Sequence, residues 1–294
     1  MKLIIVLVAL VACESSLIAA KEPAGPAFLG VAVVDLVAVN PSGGTNVSTS
    51  AESKLADMYC KALLRRANPE EFTVCLINGG SFGANIAAGN ITTASLQAAY
   101  PFDDTVARLS ISGNTLLSLL QHGVTGYPTQ GWFPQVGNIR YSFRPIPNFQ
   151  SETGFATDLI NAQILKNGTV YGVGGDDLNI ILVTSNYLAQ GNDGYTQLKN
   201  EKVLSTSKST MNELVGAYIV KEKTVGEPVN DRIVDCSARG ADPFCVPANN
   251  GGSANGQGGG ANPASSAVKP GLYYSYAAVT TAALSSGAWA VLLS

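Results

Sequence analysis

Hydrophobic positions along the chain follow two periods. Residues 72–77 form an apolar run that is β-branched or aromatic at Phe72, Thr73, Val74 and Ile77, which predicts a buried strand. Residues 28–39, 105–111 and 179–184 read the same way. In residues 52–66 the period changes. Leu55, Met58, Ala62 and Leu63 recur at i, i+3, i+7 and i+8, which predicts one face of an amphipathic helix. A second helix is expected over 115–121, which carries Leu116, Leu117, Leu119 and Leu120. Ser112-Gly113-Asn114 offers N-cap candidates before it, and Gly123 is the expected C′ stop. His122 then falls in the last turn, where a cation complements the helix dipole, a structural rather than catalytic place. Residues 164–171 predict a hairpin around Asn167-Gly168, a tight-turn pair.

The two ends differ from this middle. Residues 3–12 are apolar and follow a lone lysine, too short a run to span a membrane, and predict a signal peptide over 1–20. Leu10-Val11-Ala12-Cys13 also reads as a bacterial lipobox that would lipidate Cys13. Residues 21–248 form the expected folded domain. Residues 249–266 are Gly, Asn, Ser and Ala apart from Gln257 and Pro263, a flexible linker. Residues 267–294 end in an uncharged, mildly apolar stretch, which predicts a GPI-attachment signal with Ser265, or else Asn262 or Ser266, as the attachment residue. A transmembrane tail is the other reading, weakened by Ser285, Ser286 and Gly287. A GPI anchor implies a eukaryotic cell surface and demotes the lipobox. Sequons at Asn46, Asn90 and Asn167, each in an expected loop or turn, agree with secretion. Four cysteines follow Cys13: Cys60, Cys75, Cys236 and Cys245. They allow three pairings, and Cys236–Cys245, which closes a short loop, is the first expectation.

Charge and histidine exclude some functions. Charged residues make up 13% of the chain and the net charge is −3, so nucleic-acid binding has no electrostatic basis. There is one histidine and no CxxC pair, which argues against a zinc site.

Residues 75–108 are the most informative stretch. Asn78-Gly79-Gly80 alone is a turn, whose glycines permit positive φ and close backbone approach to a ligand. Gly89-Asn90-Ile91-Thr92 and Pro101-Phe102-Asp103-Asp104 follow. Further on stand the segment from Gly131 to Tyr141, which contains Gln135-Val136, the loop Ser185-Asn186-Tyr187-Leu188-Ala189-Gln190-Gly191-Asn192-Asp193-Gly194-Tyr195, and Asp231-Arg232-Ile233. In this order, over roughly 28–234, these motifs resemble the C-terminal, substrate-recognition domain of the 5'-nucleotidases. The strand–helix alternation permits either α/β or α+β; the resemblance selects α+β, with a large mixed β-sheet and packed helices.

The resemblance also implies a site. Phe102 and Tyr187 match the two rings that sandwich a nucleobase, Asp193 the acceptor for ribose hydroxyls, and Asn78 a substrate-contacting asparagine. Gly79, Gly80 and Gly191 complete its loops. Two departures stand out. The family's arginine after the glycine run is Gly83 here, and residues 39–53 hold no arginine where a second is expected. Preference for a nucleotide over a nucleoside is therefore expected to be lost. The family's two-metal catalytic site needs several histidines, and one cannot build it. No catalytic residue, metal or cofactor is expected in this chain. The expected function is a surface-anchored recognition domain for an adenosine-like nucleoside or nucleotide, inactive alone. The alternatives are a structural surface protein with a vestigial ligand site, or a subunit that completes a separate metallophosphoesterase chain.

Overall fold

A computed structural model describes residues 25–65, 71–226, 231–237 and 242–246. Strand β1 (Phe28–Ala32) leads to helix α1 (Lys54–Leu64) and strand β2 (Phe72–Asn78). Strand β3 (Gly89–Thr92), helix α2 (Thr93–Ala99), strand β4 (Thr105–Ser112) and helix α3 (Gly113–Val124) follow. The middle of the chain is strands β5 (Pro134–Gly137), β6 (Ile139–Pro147), β7 (Phe155–Lys166) and β8 (Thr169–Gly172). Then come strand β9 (Asn179–Ser185), the single turn α4 (Asn186–Ala189), strand β10 (Lys202–Thr210), helix α5 (Met211–Glu222) and strands β11 (Thr224–Val225) and β12 (Ile233–Asp235).

The described strands form three sheets. The central one has the order β10-β4-β9-β2-β5, and the others are β11-β1-β3 and β12-β6-β7-β8. The central sheet is mixed: β2 runs parallel to β9, and the remaining pairs are antiparallel. Successive side chains of a strand point to opposite faces, and both faces of β2 are buried. Cys75 and Ile77 pack with Leu55, Met58 and Tyr59 of α1 and Val215 and Ile219 of α5. Val74 and Leu76 pack with Leu116, Leu119 and Leu120 of α3 and with Tyr141 and Phe143 of β6. Double burial is why β2 and β9 read as nearly unbroken apolar runs rather than alternating ones.

Several expectations are met, and three are corrected. The i, i+3, i+7 pattern marks α1, capped by Ser53, whose hydroxyl accepts from the Ala56 N–H. Ser112 caps α3 by accepting from the Thr115 N–H. The 164–171 hairpin forms between β7 and β8, with Asn167 and Gly168 both at positive φ as its turn requires. The apolar run 28–39 is not one strand. It pairs as β1 to Ala32, bends, and forms one further isolated β-bridge, Leu36 with Ile86. Gly123 does not stop α3, which runs on to Val124. Glycine is needed there because a Cβ would lie 2.7 Å from Pro134 and 2.8 Å from the Tyr195 hydroxyl. Asn90 is exposed as expected, but on strand β3 rather than in a loop.

Two disulfides form. Cys236–Cys245 is the expected short loop, and Cys60–Cys75 fastens α1 to β2. The second closes a separation of 15 residues, for which loop-closure entropy contributes about 3 kcal/mol. Replacing both Cys60 and Cys75 by alanine should therefore lower the unfolding free energy in urea by about that amount.

A buried charge cluster holds β12 against α1. Arg232 donates its backbone N–H to Glu52 Oε2 at 2.7 Å and its Nε–H to Glu52 Oε1 at 2.9 Å, and its Nη2 pairs with Asp57. The three side chains are 12%, 4% and 13% exposed for Arg232, Glu52 and Asp57. One guanidinium cannot offset two buried carboxylates. Burial chiefly, with Glu52 adding and Arg232 opposing, pushes the Asp57 carboxyl up to about 8. The folded state thus keeps a proton that the unfolded chain releases. That contribution is full below the unfolded value, near pH 4, and declines as pH rises toward 8. Urea midpoints should fall from pH 5 to pH 8, and Asp57→Asn should flatten that slope.

Candidate functional site

The topology gathers four loops at one edge of the central sheet. Because β2 and β9 are parallel while β4 and β5 oppose their neighbours, the carboxyl ends of β2 and β9 adjoin the starts of β4 and β5. Residues 79–81, 186–195, 101–104 and 131–133 leave or enter the sheet here.

Asn78 ends β2 and is 5% exposed. Its Oδ1 accepts from the Ser81 hydroxyl at 2.6 Å, and its Nδ2–H donates to Asp193 Oδ2 at 2.6 Å. The other carboxylate oxygen, Oδ1, accepts from the Tyr187 hydroxyl at 2.8 Å. The donated bond, with burial second, raises the Tyr187 phenol above its ordinary value. Asp193 sits in the left-handed region at φ 52°, between Gly191 and Gly194, both at φ 79°. An aspartate tolerates that region better than most side chains. The Asn192 amide donates to the Tyr187 carbonyl at 2.9 Å and closes the loop on itself.

Phe102 and Tyr187 are 48% and 38% exposed, whereas Tyr100 beside them is fully buried. Phe102 packs edge-on to Tyr100 with centroids 5.7 Å apart. The Tyr100 hydroxyl donates to Asp104 Oδ2 at 2.8 Å. Asn186 Oδ1 accepts from the Thr105 N–H at 2.8 Å, which ties the Phe102 loop to the turn that carries Tyr187. The structure therefore brings Asn78, Asp193 and Tyr187 into direct contact and sets Phe102 on an adjoining loop.

Gly79 and Gly80 do not use the positive φ expected of them. Neither has positive φ. Their N–H groups donate to the carbonyls of Phe133 and Gly131 at 2.8 Å each. A Cβ on Gly79 would lie 1.9 Å from the Ser48 carbonyl oxygen, and one on Gly80 2.6 Å from Gly131 Cα. They let two backbone segments approach closely. Gly191 is required by its φ and by the Lys199 stem, which a Cβ would meet at 2.5 Å.

Sequence reading did not anticipate Ser81, Asn186 or His122 here. Ser81, three residues after Asn78, was the detectable one, since short polar side chains bond locally at that spacing. His122 is 71 residues from Asp193, and no local pattern signals their contact.

Charge at the site is acidic. Asp103, Asp104 and Asp193 lie on its loops, and burial raises the Asp104 carboxyl while its Tyr100 bond opposes the rise. Among the described residues no arginine or lysine is hydrogen-bonded to Asn78, Tyr187 or Asp193. At Gly83, the expected arginine position, a Cβ would sit 3.3 Å from the Ala98 carbonyl and 3.4 Å from Pro101. A cavity of about 1070 Å³ lies elsewhere, between α1, α5 and the sheet, and shares none of these residues. Among the described residues no group of three or more His, Cys, Asp or Glu side chains could hold a metal, and no helix is long and apolar enough to cross a membrane. Of the sequons, Asn46 precedes a short 3₁₀ turn and Asn167 lies in the β7–β8 turn. The leader, Cys13, the linker, Asn262, Ser265, Ser266 and the apolar tail lie outside the described residues.

The profile of the family described as "5'-nucleotidase, C-terminal domain" matches residues 31–200. The 5'-nucleotidase of Diplobatis ommata is 29% identical over 229 residues, 71% of this chain and 37% of the relative. That of Homo sapiens is 27% identical over 200 residues, 62% of this chain and 33% of the relative. The chain thus spans about a third of the length of these two relatives. A solved 5'-nucleotidase precursor from Thermus thermophilus superposes with a TM-score of 0.61 at 24% identity, over 71% of this chain and 39% of that one. The NAD nucleotidase of Haemophilus influenzae gives 0.56 at 16% identity, with 71% and 38% covered. Both share the fold. With more than half of its length matched by the family profile, the chain belongs to the 5'-nucleotidase C-terminal domain family.

Proposed function

We propose that this chain is a secreted recognition domain that binds an adenosine-like nucleoside at the edge of its central sheet. One observation carries the reading. An exposed tyrosine, Tyr187, is bonded through its hydroxyl to a carboxylate, Asp193, that Asn78 holds from below. A base stacked on Tyr187 and Phe102 gains about 1–3 kcal/mol per ring contact. Asp193 has two bonds and retains acceptor directions for ligand hydroxyls.

The acidic surroundings support a nucleoside over its phosphate ester. Asp103, Asp104 and Asp193 would repel a phosphate, and Gly83 supplies no guanidinium. The single histidine supports a partner, a separate metallophosphoesterase chain, for any two-metal hydrolysis. The predicted leader, the sequons Asn46, Asn90 and Asn167, and the disulfides support an extracellular setting. The apolar end supports a GPI anchor at Ser265. The acidic, arginine-free site also favours one rival reading, a structural surface protein whose ligand site is vestigial.

Calorimetric titration of the purified protein with adenosine and with AMP separates these readings. Adenosine should bind, and Tyr187→Ala should weaken it about tenfold or more. Asp193→Ala should weaken it as well. AMP should bind no more than about tenfold tighter than adenosine, a gap of roughly 1.4 kcal/mol. Absence of heat with both ligands, in protein of native stability, would favour the vestigial site.

A further inference from the structure

The lone histidine lies against the back of this site. His122 is in the last turn of α3, and its Nε2 is 2.7 Å from the backbone carbonyl of Asp193. A carbonyl only accepts, so Nε2–H is the donor. The imidazole is gripped on two sides. The Trp132 ring lies nearly parallel at 18° with centroids 6.2 Å apart, and the Tyr195 ring meets it edge-on at 4.9 Å. Both are themselves fixed. The Trp132 Nε1–H donates to Thr125 Oγ1 at 3.2 Å, and the Tyr195 hydroxyl donates to the Trp132 carbonyl at 2.6 Å. The Thr125 hydroxyl in turn donates to the His122 carbonyl at 2.6 Å. The contact leaves no space next to it. A Cβ on Gly194 would stand 2.4 Å from His122 Cε1.

We infer that His122 is a positioning residue for Asp193, and that it sets the affinity of this site for the hydroxyl-bearing part of its ligand. The inference rests on the nucleoside reading above. Asp193 is in the left-handed region, and its carboxylate reaches Asn78 and Tyr187 only while the backbone stays there. Asn78 and Tyr187 hold the side chain, and His122 holds the main chain. The three anchors come from β2, α4 and α3, so no one element alone fixes the carboxylate. His122 touches neither Phe102 nor Tyr187 in the ring contacts of this structure. Its loss should therefore affect the hydroxyl acceptor and spare the stacking rings.

That separation gives a test. Adenosine and free adenine are titrated into wild type, His122→Phe and His122→Gln. Phenylalanine keeps a ring between Trp132 and Tyr195 and removes the donor; glutamine keeps a donor near the Nε2 position. His122→Phe should weaken adenosine about three- to tenfold, the span of one ordinary hydrogen bond, and leave adenine unchanged. His122→Gln should recover most of the loss. Equal weakening of both ligands, or none for adenosine, would overturn the inference. Failure of wild type to bind either ligand would remove the nucleoside reading instead. Hydrogen exchange then decides the positioning claim without a ligand. His122→Phe should speed exchange of the amides in 191–195 while α3 stays protected. Unchanged exchange in that loop would overturn it.

Discussion

Strands β2 and β9 have no face open to water, and this constraint orders the rest of the molecule. Polar groups inside such a layer are costly unless they find partners where they stand, and Thr73 Oγ1 on β2 is one that has none among the described residues. Two residues show how partners are found. The Thr184 hydroxyl donates to the Leu76 carbonyl at 2.7 Å. Gln135, fully buried on β5, accepts from the Ser53 N–H and donates to the carbonyls of Ser48 and Ala51. That one amide fastens the segment before α1 to the edge of the sheet. Chemistry that needs exposed polar atoms has no place on the faces and collects where the strands end. The parallel pair β2 and β9 then decides which end collects the most, since both release their chains at the same edge.

The sequence was most readable where a residue's reason is local. The period of α1, the Ser112 cap and the Asn167-Gly168 turn all act within a few residues, and each appears as expected. The run 28–39 misled because apolar content was read as one strand, whereas β1 ends at Ala32 and the chain bends before the isolated Leu36–Ile86 bridge. Glycines misled for a related reason. Their freedom of φ is a local property and suggested a turn at Gly79-Gly80 and a helix stop at Gly123, but all three are demanded by distant backbone and side chains. At the site, Asn78, Tyr187 and Asp193 were reached through a family resemblance, not through any spacing that placed them together. Their joining needs the parallel pairing of β2 with β9, which no single stretch encodes. The Arg232 cluster, 180 residues from Glu52 in sequence, was invisible for the same reason.

Asp193 shows what such distant contacts do to a loop. Its backbone conformation is an unfavourable one for a side-chain-bearing residue, and it is held by donors from three elements before any ligand arrives. The entropy of fixing this loop is therefore lost when the protein folds, not when it binds. A ligand reaching the edge of the sheet meets an acceptor already in place and need not order a chain segment to create one. Discrimination by this site would then arise as a matter of shape matching rather than of loop closure, and its association rate would be free of a conformational step.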